Sequence, residues 1–268
     1  MVAPYQKPSL LSLSFFGAMG GSSESHTNAY FMPDDETLVF VDISLVHVWK
    51  ARRLLETLQQ QLKRVCLCIT HAHLDHISGV TRLAYLVRYV CPELRLVIYS
   101  EGSVSTAVKD ILMMTGGGKM FPENGRGVYE FGNAYATDRP EWLRAVIRTQ
   151  HAPQLPSGAV GFEFALKEKS GERKVLIYSG DTAVLAPFAE QLRTHDPNEE
   201  LELYLDVSTV EKKGLHLCWN EALKAELTQL LEEYPKLIIG LMHYDDWLTL
   251  KGKTLKMNQS RIVVVEPV

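Results

Sequence analysis

Three observations predict an α/β fold. Short apolar, β-branched runs alternate along the chain with stretches whose apolar residues recur at helical spacing. No Pro/Gly-rich or charged linker divides the sequence, so residues 1–268 read as one domain. In both halves, strand-like runs end in His or Asp, a pseudo-symmetric pattern of strands delivering polar groups to one end of a layered core. The 268 residues are 46% hydrophobic and 22% charged, an ordinary globular balance with enough chain to bury a large core.

The first strand is predicted over 10–17, where apolar residues alternate. The small polar loop Met19-Gly20-Gly21-Ser22-Ser23-Glu24-Ser25-His26-Thr27-Asn28 follows. It reads as a hairpin turn, with a cradle of backbone N–H groups for an anion as the alternative. It is not a Walker loop, because no Gly-Lys-Ser/Thr follows. Residues 29–32 and 37–42 form two strands around Pro33-Asp34-Asp35, the second ending at Asp42. A helix is predicted over about 46–62.

Arg64-Val65-Cys66-Leu67-Cys68-Ile69 is the most strand-like run. A helix reaches about Tyr89 and stops near Pro92. Residues 94–99 form a strand and 102–113 a helix. Residues 115–127, with five glycines, Pro122 and Asn124, exclude a regular element. They read as a surface loop, or as a flap carrying Lys119 and Arg126. Strands are predicted over 145–150, 160–166, 174–178, 201–207, 237–242 and 262–265. Helices are predicted over 184–194 and around Leu223, Leu227, Leu230, Leu231 and Tyr234.

Composition narrows the function. A net charge of −4 argues against a protein that embraces nucleic acid over a large surface, but not against a small phosphorylated substrate. Cys66 and Cys68 alternate within a strand and are expected on one core face. With Cys91 and Cys218 they do not resemble a disulfide framework. No signal-peptide pattern and no run of ~18 apolar residues is present, so the cytoplasm is expected and no membrane span.

The chemistry is concentrated in Thr70-His71-Ala72-His73-Leu74-Asp75-His76-Ile77-Ser78-Gly79, between a strand end and a helix start. That is where α/β sheets place their sites. His71 and His73, two apart in extended chain, point the same way, while Asp75 and His76 follow where the chain turns. Imidazoles with a carboxylate suit zinc, manganese or iron. A helix cap would account for Asp75 but not for three histidines in six residues.

This stretch resembles the His-x-His-x-Asp-His signature of the metallo-β-lactamase-fold hydrolases. In its fuller form, His-x-His-Leu-Asp-His-Ile-x-Gly-Val, it is most similar to the class II cyclic-nucleotide phosphodiesterase branch. The resemblance implies a four-layer αββα sandwich with two mixed central sheets and helices outside. It also implies two divalent metal ions, zinc foremost. One is held by His71, His73 and His151, the other by Asp75, His76 and His243, with Asp181 of Tyr-Ser-Gly-Asp-Thr bridging them.

The implied reaction is attack of a metal-bridging hydroxide on a phosphodiester, most nearly a 3′,5′-cyclic nucleotide opened to a 5′-nucleotide. In phosphodiesterases of this fold a histidine before the last ligand protonates the leaving alkoxide. Here that is His216, oriented by Asp206, with Asp75 the third residue assigned to catalysis. The family often has His-Ser/Thr or His-Leu-Thr-Pro there, whereas this chain has His216-Leu217-Cys218-Trp219. Asp42 is expected to support a ligand histidine or to cap a helix. His26, His47 and His195 have no such support.

The alternatives are a transfer-RNA 3′-processing endonuclease, a lactonase or thioesterase of the same fold, and a non-enzymatic sensor on a degenerate site. Only 29 residues separate His151 from Asp181, too few for the long Gly/Pro-rich arm that the RNA enzymes usually carry there. Asp181 stands where many β-lactamases proper use cysteine. Homodimers are common in this fold.

Overall fold

A computed structural model describes residues 11–20, 23, 25–115, 129–153, 155, 158–167, 173–211, 214–245, 251 and 260–267. Two six-stranded mixed sheets pack face to face. The first contains β1 (Ser14–Gly17), β2 (Asn28–Asp34), β3 (Thr37–Val41), β4 (Arg64–Ile69), β5 (Leu96–Ser100) and β6 (Tyr129–Gly132), neighbours in that order. The second contains β7 (Leu143–Thr149), β8 (Ala159–Lys167), β9 (Arg173–Tyr178), β10 (Leu201–Asp206), β11 (Ile238–Met242) and β12 (Ile262–Val264), also in order. In each sheet the first three strands pair antiparallel and the rest parallel, which is the pseudo-symmetry expected from sequence.

Phe15, Phe31, Val39, Cys66 and Cys68 from the first sheet join Phe162, Phe164, Leu203 and Leu205 from the second in one buried cluster. The cysteines therefore share the inter-sheet face. The opposite face of the first sheet, with Leu38, Phe40, Val65, Leu67 and Ile69, is covered by α1 (Val48–Leu58), α3 (Val80–Val90) and α4 (Gly102–Met114). Each large apolar side chain withdrawn from water contributes roughly 1.5–3 kcal/mol. α5 (Ala186–Leu192) and α6 (Glu221–Glu233) add Phe188, Leu192, Leu227 and Leu231 to the core on the second sheet's side. The order is helices, sheet, sheet, helices, the four-layer αββα sandwich of the metallo-β-lactamase fold. Among the described residues, no helix is long and apolar enough to cross a membrane.

Several boundaries differ from expectation. The helix predicted over 46–62 is a 3-10 turn, Leu45–His47, followed by α1, which ends at Leu58. Strand β6 is absent from the sequence reading because Tyr-Glu-Phe-Gly is too short to display an alternation. Most of the predicted irregular stretch 115–127, including Lys119 and Arg126, lies outside the described residues.

Buried carboxylates tie the outer elements to the second sheet. Glu163 on β8 has Arg144 Nε at 3.2 Å and His195 Nε2 at 3.2 Å, and accepts a hydrogen bond from Gln191 at 2.5 Å. His195 also meets Glu199 at 3.1 Å. The hydrogen bond with Glu163, outweighing burial, raises the His195 pKa above its ordinary 6.5. A histidine raised on folding stabilises fully below its unfolded pKa and loses that contribution as pH rises through the folded one. The parent's urea midpoint is therefore expected to fall, relative to that of His195→Gln, as pH climbs from neutral into the alkaline range. Parallel midpoints across that range would show the pair contributes nothing.

Candidate metal centre

Seven ligand-capable side chains meet at the C-terminal ends of the central strands, where the two sheets come together. Thr70 and His71 leave β4, and His71 bridges to Ala159 at the start of β8. Val160 N donates to Thr70 O at 3.0 Å, so the sheets are joined at the site itself. The short α2 (Leu74–Ile77) starts straight after His73 and carries Asp75 and His76. His151 follows β7, Asp181 follows β9, and His243 follows β11.

Asp181 reaches its place because Gly180 sits at φ +59. A Cβ there would lie 2.8 Å from Val160 O and 2.9 Å from Thr70. Only glycine combines this left-handed backbone with so close an approach. Three non-glycine residues at the site also have positive φ, namely Asp42 (56°), Ala152 (43°) and His243 (58°). Such conformations cost roughly 1–3 kcal/mol each and persist where the surroundings impose them.

The donor atoms fall into two overlapping groups. In the first, His73 Nδ1 is 3.0 Å from His71 Nε2 and 3.2 Å from His151 Nε2. Asp181 Oδ2 lies 3.7 Å and 3.6 Å from the same two nitrogens. In the second, His76 Nε2 is 3.3 Å from Asp75 Oδ2 and 3.4 Å from Asp181 Oδ1. His243 Nε2 is 3.8 Å from Asp75 Oδ2 and 3.2 Å from Asp181 Oδ2. Four ligands held tetrahedrally ~2.1 Å from one cation would be ~3.4 Å apart, and both groups bracket that spacing. Each group of ligands, His71, His73, His151 and Asp181 or Asp75, His76 and His243, could hold a metal ion.

Hydrogen bonds on the far side of the rings select which nitrogen faces the centre. His151 Nδ1 donates to Leu215 O at 2.6 Å. His76 Nδ1 donates to Asp42 Oδ2 at 2.8 Å. Thr70 Oγ1 donates to Asp42 Oδ2 at 2.7 Å, so its oxygen receives the proton of His71 Nδ1 at 3.0 Å. His243 Nδ1 is 3.4 Å from Asp206 Oδ1. In the first three rings Nδ1 is hydrogen-bonded outward, in His243 it faces Asp206, and in all four Nε2 turns inward, the arrangement of ligand histidines with second partners. His76 Nε2 and His243 Nε2 are fully buried without a hydrogen-bond partner. Buried polar nitrogens rarely remain so, and a cation would satisfy them. The residues present thus fit a metal, and the fold together with this His/Asp group implies divalent metal binding.

Charge is distributed unevenly. Burial holds His71 well below its ordinary pKa, and burial likewise lowers His73 and His151, leaving neutral rings with free lone pairs. Burial also opposes charge on His76 and His243, but Asp181 with Asp42 or Asp206 outweighs it. His76 is held well above its ordinary value and His243 is raised to about 10. For Asp75 and Asp181 burial pushes upward, yet the neighbouring histidines hold both carboxyls below the usual carboxylate range.

His216 and Asp206 also come together. His216 Nδ1 lies 2.7 Å from Asp206 Oδ2, which accepts from Thr182 N at 2.7 Å as well. The His216 ring is stacked 4.7 Å from that of His243 at an interplanar angle of 29°. Asp42 resolves as a partner of His76 and Thr70, not as a helix cap. Its replacement by alanine is expected to weaken cation uptake roughly 10–100-fold. Calorimetric titration with Zn²⁺ checks this, and unchanged affinity would show that Asp42 does not orient His76.

Of the early glycine loop, Gly21, Ser22 and Glu24 lie outside the described residues. Met19 N is bonded to Ser25 O, Gly20 N to Tyr244 O, Ser23 N to Gly20 O and Ser25 N to Ser23 Oγ. Three of these four N–H groups are spent within the loop and that of Gly20 on Tyr244, so none of the four is left for an anion. Sequence reasoning missed Asn28. It is fully buried, donates to Asp75 O at 3.1 Å and accepts from Ser44 N at 2.9 Å, so it fixes the turn carrying Asp75. His47 donates to His26 O at 3.1 Å and helps hold the loop.

The sequence model of the family described as anti-Pycsar protein Apyc1 matches residues 11–262. No curated protein matches the chain significantly. Among solved structures it is similar to the metallo-β-lactamase fold protein YhfI from Bacillus subtilis, at 16% identity and a TM-score of 0.60, covering 95% of each chain. It is also similar to unliganded yeast PDE1, at 14% identity and a TM-score of 0.61, covering 95% of this chain and 97% of that one.

Proposed function

The chain belongs to the family of the anti-Pycsar protein Apyc1, and from that premise we propose that it is a metal-dependent hydrolase opening a cyclic nucleotide at its phosphodiester. The observation that carries the reading is the convergence of seven donors at tetrahedral spacing, beside an imidazole backed by a carboxylate. In this reading His71, His73 and His151 hold one divalent cation, Asp75, His76 and His243 hold a second, and Asp181 serves both. Zinc suits so imidazole-rich a set best, with manganese and iron next. Bound there, the cations would supply Lewis acidity toward phosphoryl oxygens and toward the attacking water.

The chain's own groups do the rest. Asp42, Leu215 O and Asp206 fix the ring orientations from behind. Asp75 and Asp181 balance the cations' charge, so a phosphodiester monoanion can enter without a large excess of either sign. His216 is the proton donor. With Nδ1–H directed at Asp206, its Nε2 can carry the proton that a leaving alkoxide needs, a contribution worth roughly 10²–10⁴-fold. Asp206 Oδ2, 2.7 Å from Nδ1, orients the ring. A small phosphodiester is the partner this arrangement favours, with homodimerisation a further expectation.

A substrate panel tests the reading. Purified protein with Mn²⁺ or Zn²⁺ is offered 3′,5′- and 2′,3′-cyclic nucleotides, bis(p-nitrophenyl) phosphate, lactones and precursor transfer RNA. Turnover of cyclic mononucleotides is expected. Turnover of only the RNA, or only the lactones, would replace it with one of those activities. Failure to take up metal would favour a sensor.

A further inference from the structure

His243 is held unusually. Its backbone is left-handed at φ 58, a conformation few non-glycine residues adopt. Its N–H donates at 2.7 Å to Ala18 O, on the segment after β1, and the next residue's carbonyl, Tyr244 O, accepts from Gly20 N at 3.2 Å. Met19 bridges to Tyr244 between them. The imidazole is stacked with His216. Gly20 lies against its edge, where a Cβ would sit 3.4 Å from Cε1 and 3.7 Å from Nδ1. Residues more than two hundred positions away thus clamp the ligand candidate that arrives last in the chain.

We propose that Ala18–Gly20 is a positioning element for the subsite of Asp75, His76 and His243. It imposes the left-handed backbone of His243 and walls its ring, while donating no ligand itself. The inference rests on the two-cation reading above. It assigns a role to the N-terminal segment that its residue types do not announce. Among the described residues no hydrogen bond joins His71, His73 or His151 to this segment, so a change in it is expected to act first on the second subsite.

Gly20 permits a graded test, because its φ is not left-handed and other residues fit its backbone. Parent, Gly20→Ala, Gly20→Ser and Gly20→Val are stripped with chelator and titrated with Mn²⁺ and with Zn²⁺. Bound cations are counted by elemental mass spectrometry, and melting of the stripped proteins is followed. The parent is expected to take two cations. Gly20→Ala, whose methyl reaches only ordinary contact distance, keeps both. Gly20→Val keeps the first at parental affinity and weakens the second by roughly tenfold or more, the range expected when a ligand's support is lost.

Gly20→Ser is expected to fall between them, and decides the matter if the valine variant loses its parental melting transition. Parental affinity for both cations in the larger folded variant, or equal weakening of both, overturns the proposal. A parent that takes up no cation overturns instead the reading on which it rests.

Discussion

Replacing Asp181 by asparagine is expected to cut phosphodiester hydrolysis by on the order of 10³-fold or more, and to lower cation stoichiometry with it. Loss of a group that merely supports a ligand costs roughly 10–100-fold. Asp181 is more central, because its two oxygens face both donor groups, within 3.2–3.7 Å of His71, His76, His151 and His243. Asparagine keeps the shape but removes the charge and turns one acceptor into a donor. The amide would point N–H groups at ring nitrogens that themselves need a cation. Its neighbour Gly180 fixes the backbone in either variant, so a circular dichroism spectrum and melting profile near the parent's are expected. Activity on bis(p-nitrophenyl) phosphate with added Mn²⁺ is the measurement. Hydrolysis within tenfold of the parent would exclude the shared-carboxylate mechanism.

His216→Gln is expected to have the second largest effect, and one that depends on substrate. An alkoxide leaving from a cyclic nucleotide is a poor leaving group and must be protonated, so a loss of ~10²–10⁴-fold in kcat is expected. The p-nitrophenolate ion leaves without a proton, so turnover of bis(p-nitrophenyl) phosphate should fall far less. The ratio of the two losses isolates proton donation from any effect of His216 on the stacked His243 ring. Asp206→Asn is expected to show the same selectivity more weakly, since it leaves His216 in place but unsupported on one side. Equal losses on both substrates would assign His216 a binding role instead.

The metal loop was legible because its meaning is local. His71 and His73 share a direction by strand alternation, and Asp75 and His76 fall on the turn that begins a helix. Asp181 was legible from Tyr-Ser-Gly-Asp-Thr, where the glycine's left-handed φ lets the carboxylate turn inward. His151 and His243 carry no motif of their own. They were read as ligands because apolar strands end at them in the order the resemblance implies.

Other features were closed to sequence reading for identifiable reasons. Leu215 offers His151 a backbone carbonyl across 64 residues, and a carbonyl leaves no trace in residue type. Asn28 supports Asp75 across 47 residues, yet in sequence it is one more polar residue after a small-residue loop. Asp42 could cap a helix or back a histidine, and only the pairing of β3 with β4 brings it to Thr70 and His76. The glycine loop read as a hairpin turn or an anion cradle, and only the fold shows that the N–H groups of Met19, Gly20, Ser23 and Ser25 have partners within the chain.

Sequence alone therefore determined the layered α/β class, the run of strands, and the set of imidazoles and carboxylates with the order in which they arrive. The class and the strands follow from alternation and helical spacing, and the ligand set and its order from the motif resemblance, all of it read along the chain. Tertiary structure alone decided which nitrogen of each ring faces the centre, which carboxylate oxygen faces which histidine, and that Ala18–Gly20 holds His243. Those depend on how two sheets meet at one end, where contacts span tens to hundreds of residues and are fixed by packing rather than by local pattern.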